Sequence, residues 1–452
     1  MTDISKLFSP DSIAVIGASN SFEKLGGVVM DNLIKSYSKT IYPINPNNKQ
    51  IFGKKCYKTL NDLPSTPDLA IIALSAQQSI PALASAGKFK IPFAIIFAGG
   101  FSEIGKGSKL EDELKKICDT TGIRLVGPNC MGIWDKNLIN ASFMNILPKY
   151  SGKTTFISQS GSLIAFSIYL KLRLNKFVSL GNSVDLNFED FINYLSNDRE
   201  TKILVLYIES ISDGRILLEK IKNFPKPIIV IKAGVSEYGQ RSIASHTGAL
   251  AGNNKLFQQL FKAYGVLMIE SFEIMVAASR ALEILPILKN NKVLALSNAG
   301  GAVCLFSDAC FKFGVEPSIL PNKLKNLLLK VFPPQASINN PLDLTVTGGT
   351  PDVITRVFDI LFDLSLHDYG IIVYIPVVAP FADAREEAKL AIKLSKRSPL
   401  PFLVCFLAGE KVSPAIEEFD IANIAYTQTI LETAEVINIL WQWSKIKEKK
   451  SG

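Results

Sequence analysis

Three stretches of this chain share one local form, and that form narrows the possible folds more than any other feature. "SIAVIGASNSFEKLGGVVMDNL", "KTTFISQSGSLIAFSIYLKL" and "KVLALSNAGGAVCLFSDACFKF" each run from a short β-branched segment through a glycine- or serine-rich turn into a helical pattern. Small residues at such a turn permit unusual dihedrals and keep side chains clear of the helix start. A start of this kind offers unpaired N–H groups and the positive end of the helix dipole, which suits a phosphate. Between the openings the alternation continues, with strand-like runs such as "KTIYPINP", "DLAIIAL", "FAIIFAGG", "KILVLYIES", "KPIIVIKAG" and "DYGIIVYIPVV". Val- and Ile-rich runs alternating with helical stretches predict an α/β fold of mainly parallel sheets covered by helices.

A chain of 452 residues is too long for one ordinary core. Boundaries are expected near 148–152 and 286–292, which are polar or proline-bearing and precede new strands. Three domains result, spanning residues 1–148, 149–288 and 289–452. With 48% apolar and 20% charged residues the composition is that of a soluble globular protein. The net charge of +8 comes from scattered lysines that cluster only in the last helix-like tail, so no nucleic-acid surface is expected. Six widely spaced cysteines include no pair at metal-site spacing, which predicts free buried thiols in a reducing compartment. No apolar run has membrane length and the first residues lack a signal core, so a cytoplasmic location away from membranes is the expectation.

In the first domain "GASNSFEKLGG" is a loose relative of a dinucleotide fingerprint, with Ser19 where the second glycine would stand. The second strand ends in "IYPINPN" rather than in the acidic residue that a nicotinamide ribose would require. A phosphorylated ligand at Gly17, Ala18 and Ser19 is the better-supported reading, beside a strand-to-helix turn glycine that touches no ligand. The turns "FAGGFSEIG" and "GPNCMGI" follow later strands on the same carboxyl edge, so Pro43, Asn45, Gly99, Phe101 and Asn129 are candidate walls of one crevice.

The chain has two histidines, His246 in "SIASHTGALAG" and His367 in "DLSLHDYG". Two are too few for a histidine-rich metal site, "SQSGS" lacks the G-x-S-x-G elbow, and no metal centre is expected on this chain. An imidazole among such small neighbours is either a loop or packed structural residue or a chemical group, acting as a general base or as an acceptor of a phosphoryl group. Accepting a phosphoryl group requires anion donors and a carboxylate on the other ring nitrogen. Donors are available at the helix starts Ser160, Gly161, Ser162 and Asn298, Ala299, Gly300, Gly301. The carboxylate is available in Glu209, at the end of "KILVLYIE". "YSGKTT" is not a Walker A motif, because Leu147 occupies the place of its first glycine.

Together these motifs resemble the alpha subunit of nucleoside-diphosphate-forming acyl-CoA synthetases, of which ADP-forming acetyl-CoA synthetase is the best-known type and to which succinyl-CoA synthetase is related. The resemblance runs from "IAVIGASN" through "YPINPNNKQIFGKKCYKTLNDLP", "AGGFSEIG", "GPNCMGI", "SQSGSLIAF", "YIESISDGR" and "SHTGALAG" to "LSNAGGA" and "NPLDLT". It implies a Rossmann-type CoA-binding domain followed by two flavodoxin-like ligase domains. By the resemblance, Gly17, Ala18, Ser19, Pro43, Asn45, Phe101 and Asn129 line the CoA crevice. His246 is then the histidine transiently phosphorylated and Glu209 the carboxylate steadying it. Ser160 to Ser162 and Asn298 to Gly301 are the two phosphate-cradling helix starts. The implied reaction interconverts acyl-CoA, ADP and phosphate with a small carboxylic acid, CoA and ATP, through an acyl phosphate and phosphohistidine. The family's ATP-grasp domain sits on a separate beta subunit or a C-terminal extension. The resemblance therefore implies a beta partner, an α2β2 assembly, and Mg²⁺ entering with the nucleotide on that partner. Two other readings stand beside it: a non-catalytic CoA-sensing subunit and a nicotinamide-dependent oxidoreductase.

Overall fold

The computed structural model describes residues 3–101, 108–247, 254–363, 366, 368–378, 382–407 and 409–451. It divides into two compact units, Met1–Phe272 and Glu273–Gly452. Among the described residues the first unit holds two large sheets and the small antiparallel pair Gln50–Ile51 and Lys54–Lys55, and the second unit holds one large sheet.

The first sheet is parallel and five-stranded, in the order Thr40–Ile44, Ser12–Ile16, Leu69–Ile72, Phe93–Ile96, Arg124–Val126. Its central strands "LAII" and "FAII" are buried at every position, as a parallel sheet covered on both faces requires. The second sheet runs Leu267–Met268, Ile228–Lys232, Ile203–Ile208, Thr154–Ser158, Leu174–Ser179, and then an antiparallel edge of Gly132–Asp135 and Ile139–Ser142. The third runs Glu316–Pro317, Lys292–Ser297, Ile371–Ile375, Phe402–Cys405, Tyr426–Thr427, with Leu342–Asp343 also pairing with Lys292–Ser297. If the antiparallel edge and the Leu342–Asp343 strand are set aside, the parallel strands of all three sheets lie in the order 2-1-3-4-5. In that order the crevice for a ligand opens at the carboxyl end of strand 1, where the strand sequence reverses. All three glycine- or serine-rich openings sit at that place.

Capped amphipathic helices hold the sheets. Asn187 and Asp190 form a capping box at the start of Phe188–Asn197, which buries Phe188, Phe191, Ile192 and Leu195. Each such side chain contributes about 1.5–3 kcal/mol on leaving water. In the second unit Asp383 caps Ala384–Arg397, and Phe358 of Pro351–Phe362 meets Tyr374 edge-on at 5.5 Å.

Two local features differ from the sequence expectation. In the first opening the helix begins at Leu25 and not directly after Gly17, so a loop separates turn from helix. The glycines of "LGG" let the helix back onto that loop: a Cβ at Gly26 would lie 2.0 Å from the Gly17 carbonyl oxygen, and one at Gly27 2.0 Å from that of Ser21. Residues 132–142, placed at the end of the first domain by sequence, form the antiparallel edge of the second sheet instead. Trp134 stacks on Phe177 at 5.8 Å, and Lys176, only 4% exposed, pairs with Asp135 at 2.9 Å and with Asp198 at 3.0 Å. Asn32 ties the hairpin back to the first domain through the Ser142 and Met144 carbonyls.

Candidate active site

Strand Thr154–Ser158 ends on a buried hydroxyl. Ser158 Oγ accepts from Ser160 N–H at 3.1 Å and donates to the Ser160 carbonyl at 2.6 Å, which bends the chain sharply into helix Gly161–Tyr169. Ser160 is the N-cap, no side chain caps the helix, and the Ser160 and Ser162 hydroxyls lie 3.1 Å apart. A Cβ at Gly161 would fall 2.3 Å from Met131 Cγ, so a side chain there would have to displace the methionine. Such a start leaves N–H donors for an anion.

The third sheet has the same form at the end of Lys292–Ser297. Ser297 Oγ accepts from Ala299 N–H at 3.1 Å and donates to the Ile375 carbonyl at 2.8 Å; helix Gly300–Phe313 follows without a side-chain cap. A Cβ at Gly301 would meet nothing within 4 Å, whereas one at Gly300 would meet Asp343 Oδ2 at 2.8 Å. The Asn298 amide, expected at the phosphate, is instead engaged with Val377: its Oδ1 accepts from the Val377 N–H at 2.8 Å and its Nδ2 donates to that residue's carbonyl at 3.1 Å. The backbone at 299–301 is what this turn offers a ligand.

Glu209 follows strand Ile203–Ile208 and is partly buried. Its N–H donates to Gln159 Oε1 at 2.7 Å, and its carbonyl accepts from Lys232 Nζ at 2.8 Å. Burial, then the Glu209 charge and its hydrogen bond, push the Tyr207 hydroxyl up to about 12. Burial holds the Lys232 ammonium below its usual range, against the opposing pull of Glu209. A cavity of about 270 Å³ opens beside this turn, lined by Gln159, Asn182, Asn187, Ser210 and Ser212 among others. His246 belongs to helix Glu237–Thr247, but its side chain, like residues 248–253 and His367, lies outside the described residues.

In the first domain Gly17 is held at φ +88°, and its N–H donates to the Ile44 carbonyl at 3.1 Å. A Cβ there would lie 2.6 Å from the Ala73 carbonyl oxygen, so only glycine fits. Asn45 Nδ2 donates to the Ala18 carbonyl at 2.9 Å, and Ser19 Oγ accepts from Ser21 N–H. Pro43 is buried, its carbonyl accepting from Tyr57 N–H. Phe101 departs from expectation: it is fully buried in the core with Ile72, Ile96 and Leu125 and supports the edge from below. Asn129, at φ +56°, donates to Asn182 Oδ1 at 3.2 Å, while the neighbouring Met131 N–H donates to Ser179 Oγ at 2.9 Å. These bonds bring the first sheet's carboxyl edge against the second sheet's, next to Gly161. The sequence reading missed Gln159, Tyr207, Lys232 and Asn182; the shared register of "SQSGS" and "SNAGG" was the signal available for Gln159.

Comparison with known proteins agrees with this geometry. Residues 11–135 match the family model for a CoA binding domain, and residues 151–282 that for a succinyl-CoA ligase like flavodoxin domain. The chain is 36% identical to the acetate–CoA ligase [ADP-forming] II subunit alpha of Pyrococcus furiosus, covering 91% of this chain and 92% of that one. It is 36% identical to the acetate–CoA ligase [ADP-forming] of Methanocaldococcus jannaschii across 76% of this chain, and the match spans 49% of that longer protein. The dinucleotide forming acetyl-coenzyme A synthetase 1 of Ca. Korarchaeum cryptofilum, solved with phosphate and ADP, superposes with a TM-score of 0.92 at 30% identity, covering 100% of this chain and 99% of that one. With a CoA-binding sheet, two flavodoxin-like sheets carrying matched helix starts, and end-to-end likeness to such subunits, the chain belongs to the family of ADP-forming acetate–CoA ligase alpha subunits.

Proposed function

We propose that this chain is the alpha subunit of an ADP-forming acyl-CoA synthetase whose phosphoryl group travels on His246. Residues 1–148 bind coenzyme A at Gly17, Ala18, Ser19, Pro43, Asn45 and Asn129. Residues 149–288 carry the phosphorylated histidine, and residues 289–452 carry the second phosphate cradle. Inorganic phosphate attacks the thioester carbonyl; the C–S bond breaks, CoA leaves as the thiol and an acyl phosphate remains. His246 attacks that phosphorus, and the acyl–oxygen–phosphorus link breaks to release the carboxylic acid. ADP then takes the phosphoryl group from the imidazole and leaves as ATP. Glu209 holds the other ring nitrogen and balances the charge the ring gains. The helix starts at 160–162 and 299–301 neutralise phosphate on either side of the transfer. A beta partner with an ATP-grasp domain supplies the nucleotide site, Mg²⁺ enters with the nucleotide, and the assembly is α2β2 in the cytoplasm.

The observation that carries this reading is the duplicated helix start at the switch point of two like sheets, one of them beside a carboxylate held by its own backbone. Neither a nicotinamide enzyme nor a CoA sensor has a use for two such starts. The test is to purify the chain with its partner and supply labelled phosphate and acetyl-CoA. An acid-labile, base-stable phosphoprotein is expected, lost together with ATP formation in His246→Ala. Label or ATP formation surviving in that variant would refute the proposal.

A further inference from the structure

The two flavodoxin-like sheets repeat one device at the ends of their first strands. Laying "SQSGS" on "SNAGG" puts Ser158 on Ser297, Gln159 on Asn298 and Gly161 on Gly300. In both places the serine hydroxyl receives the N–H two residues on, at 3.1 Å. In both places the following side-chain amide crosses to the end of the third parallel strand. Asn298 makes a two-way bond with the backbone of Val377. Gln159, one methylene longer, accepts from two consecutive N–H groups, Glu209 at 2.7 Å and Ser210 at 3.0 Å, and donates to Ser210 Oγ at 3.4 Å.

This bond pattern has a physical consequence at one residue. Glu209 lies just past strand Ile203–Ile208, where the ladder no longer pairs its backbone. Gln159 takes its N–H and Lys232 takes its carbonyl at 2.8 Å, so both backbone groups are fixed. Gln159 N–H also donates to the Tyr207 carbonyl at 3.3 Å, which locks the amide itself to the same strand end. Only the Glu209 side-chain torsions remain. A group that must orient an imidazole gains rate from such restraint, because small misplacements of a reacting pair are costly. In the third sheet the same amide holds Val377, which carries no charge to aim. The two sheets therefore separate the device as a strand-end clamp from the device as a support for a carboxylate.

We propose that Gln159 is a positioning residue: it fixes the Glu209 backbone against the helix start at Gly161 and so sets the carboxylate for His246. The proposal rests on the phosphohistidine reading above. Its test uses the chain assembled with its partner and the rate at which label from phosphate appears on the protein at saturating acyl-CoA. Gln159→Met keeps the volume and removes the acceptor. It should slow labelling by about tenfold or more while the KM for acyl-CoA stays within about twofold. In a Glu209→Gln background the same change should cost no more than about twofold further, since the residue it positions is already gone. Gln159→Glu, which still accepts both N–H groups, should recover most of the labelling rate at saturating phosphate, and it serves equally if the methionine variant folds poorly. Wild-type labelling by Gln159→Met, a loss that multiplies with that of Glu209→Gln, or no recovery by Gln159→Glu would each overturn the proposal. An unlabelled wild-type enzyme, or label retained in His246→Ala, would instead overturn the phosphohistidine reading on which it rests.

Discussion

Gly301→Asp should move stability and activity in opposite directions. Gly301 is exposed, lies in the first turn of Gly300–Phe313, and has open space where a Cβ would be. It is not among the positive-φ residues, so an L side chain fits the backbone. Replacing glycine within a helix, and placing a carboxylate near its positive end, each favour the fold by a few tenths to about 1 kcal/mol. The same carboxylate would face the phosphate that this helix start is proposed to receive. Two unit charges about 5 Å apart at an effective dielectric near 20 repel by about 3 kcal/mol, or about 100-fold in affinity. Denaturant titration of the variant should give a midpoint at or above the wild type. Steady-state assays with the partner should give a phosphate KM raised about 100-fold, while Gly301→Ser leaves it within about threefold. An unchanged phosphate KM in Gly301→Asp would refute the assignment of this helix start to phosphate.

Three further predictions concern the frame of the site. Lys176→Met strands Asp135 and Asp198 in the interior and should cost about 3–5 kcal/mol, read by denaturant titration and by faster hydrogen exchange in residues 132–142; a change below about 1 kcal/mol would deny the hairpin its anchor. Burial raises the Asp198 carboxyl, but the Thr201 hydroxyl and Lys176 outweigh it and leave the group below its usual value, so its stabilisation is present above about pH 4 and is lost as the pH falls through the lowered value. Gly17→Ala forces an L residue to φ +88° with its Cβ 2.6 Å from the Ala73 carbonyl oxygen. That should cost about 2–4 kcal/mol and weaken CoA binding measured by calorimetry; unaltered CoA affinity would remove Gly17 from the crevice.

The sequence was most informative where one residue's chemistry admits a single backbone solution. Gly17 could be read as a turn glycine because its φ of +88° and the Ala73 carbonyl oxygen leave no room for a larger residue. The Val- and Ile-rich runs were legible as parallel strands because both faces are buried, as at Ile371–Ile375. The hairpin at 132–142 was not legible, since its partner Leu174–Ser179 lies far along the chain and the Lys176–Asp135 pair has no local signal. Phe101 followed a glycine-rich turn and so suggested a crevice wall, yet an aromatic ring gains more from the core, which is where it lies. Asn298 and Gln159 show the remaining difficulty: an amide beside a phosphate-type turn can serve ligand or backbone equally well, and only their Val377 and Glu209 bonds separate the two.

The most direct measurement is isotope exchange between ADP and ATP by the assembled enzyme with CoA and carboxylic acid both withheld. Transfer through a phosphorylated imidazole predicts steady exchange under those conditions, abolished in His246→Ala. Exchange that begins only when CoA and acid are added together would contradict it, because the phosphoryl group would then never rest on the protein.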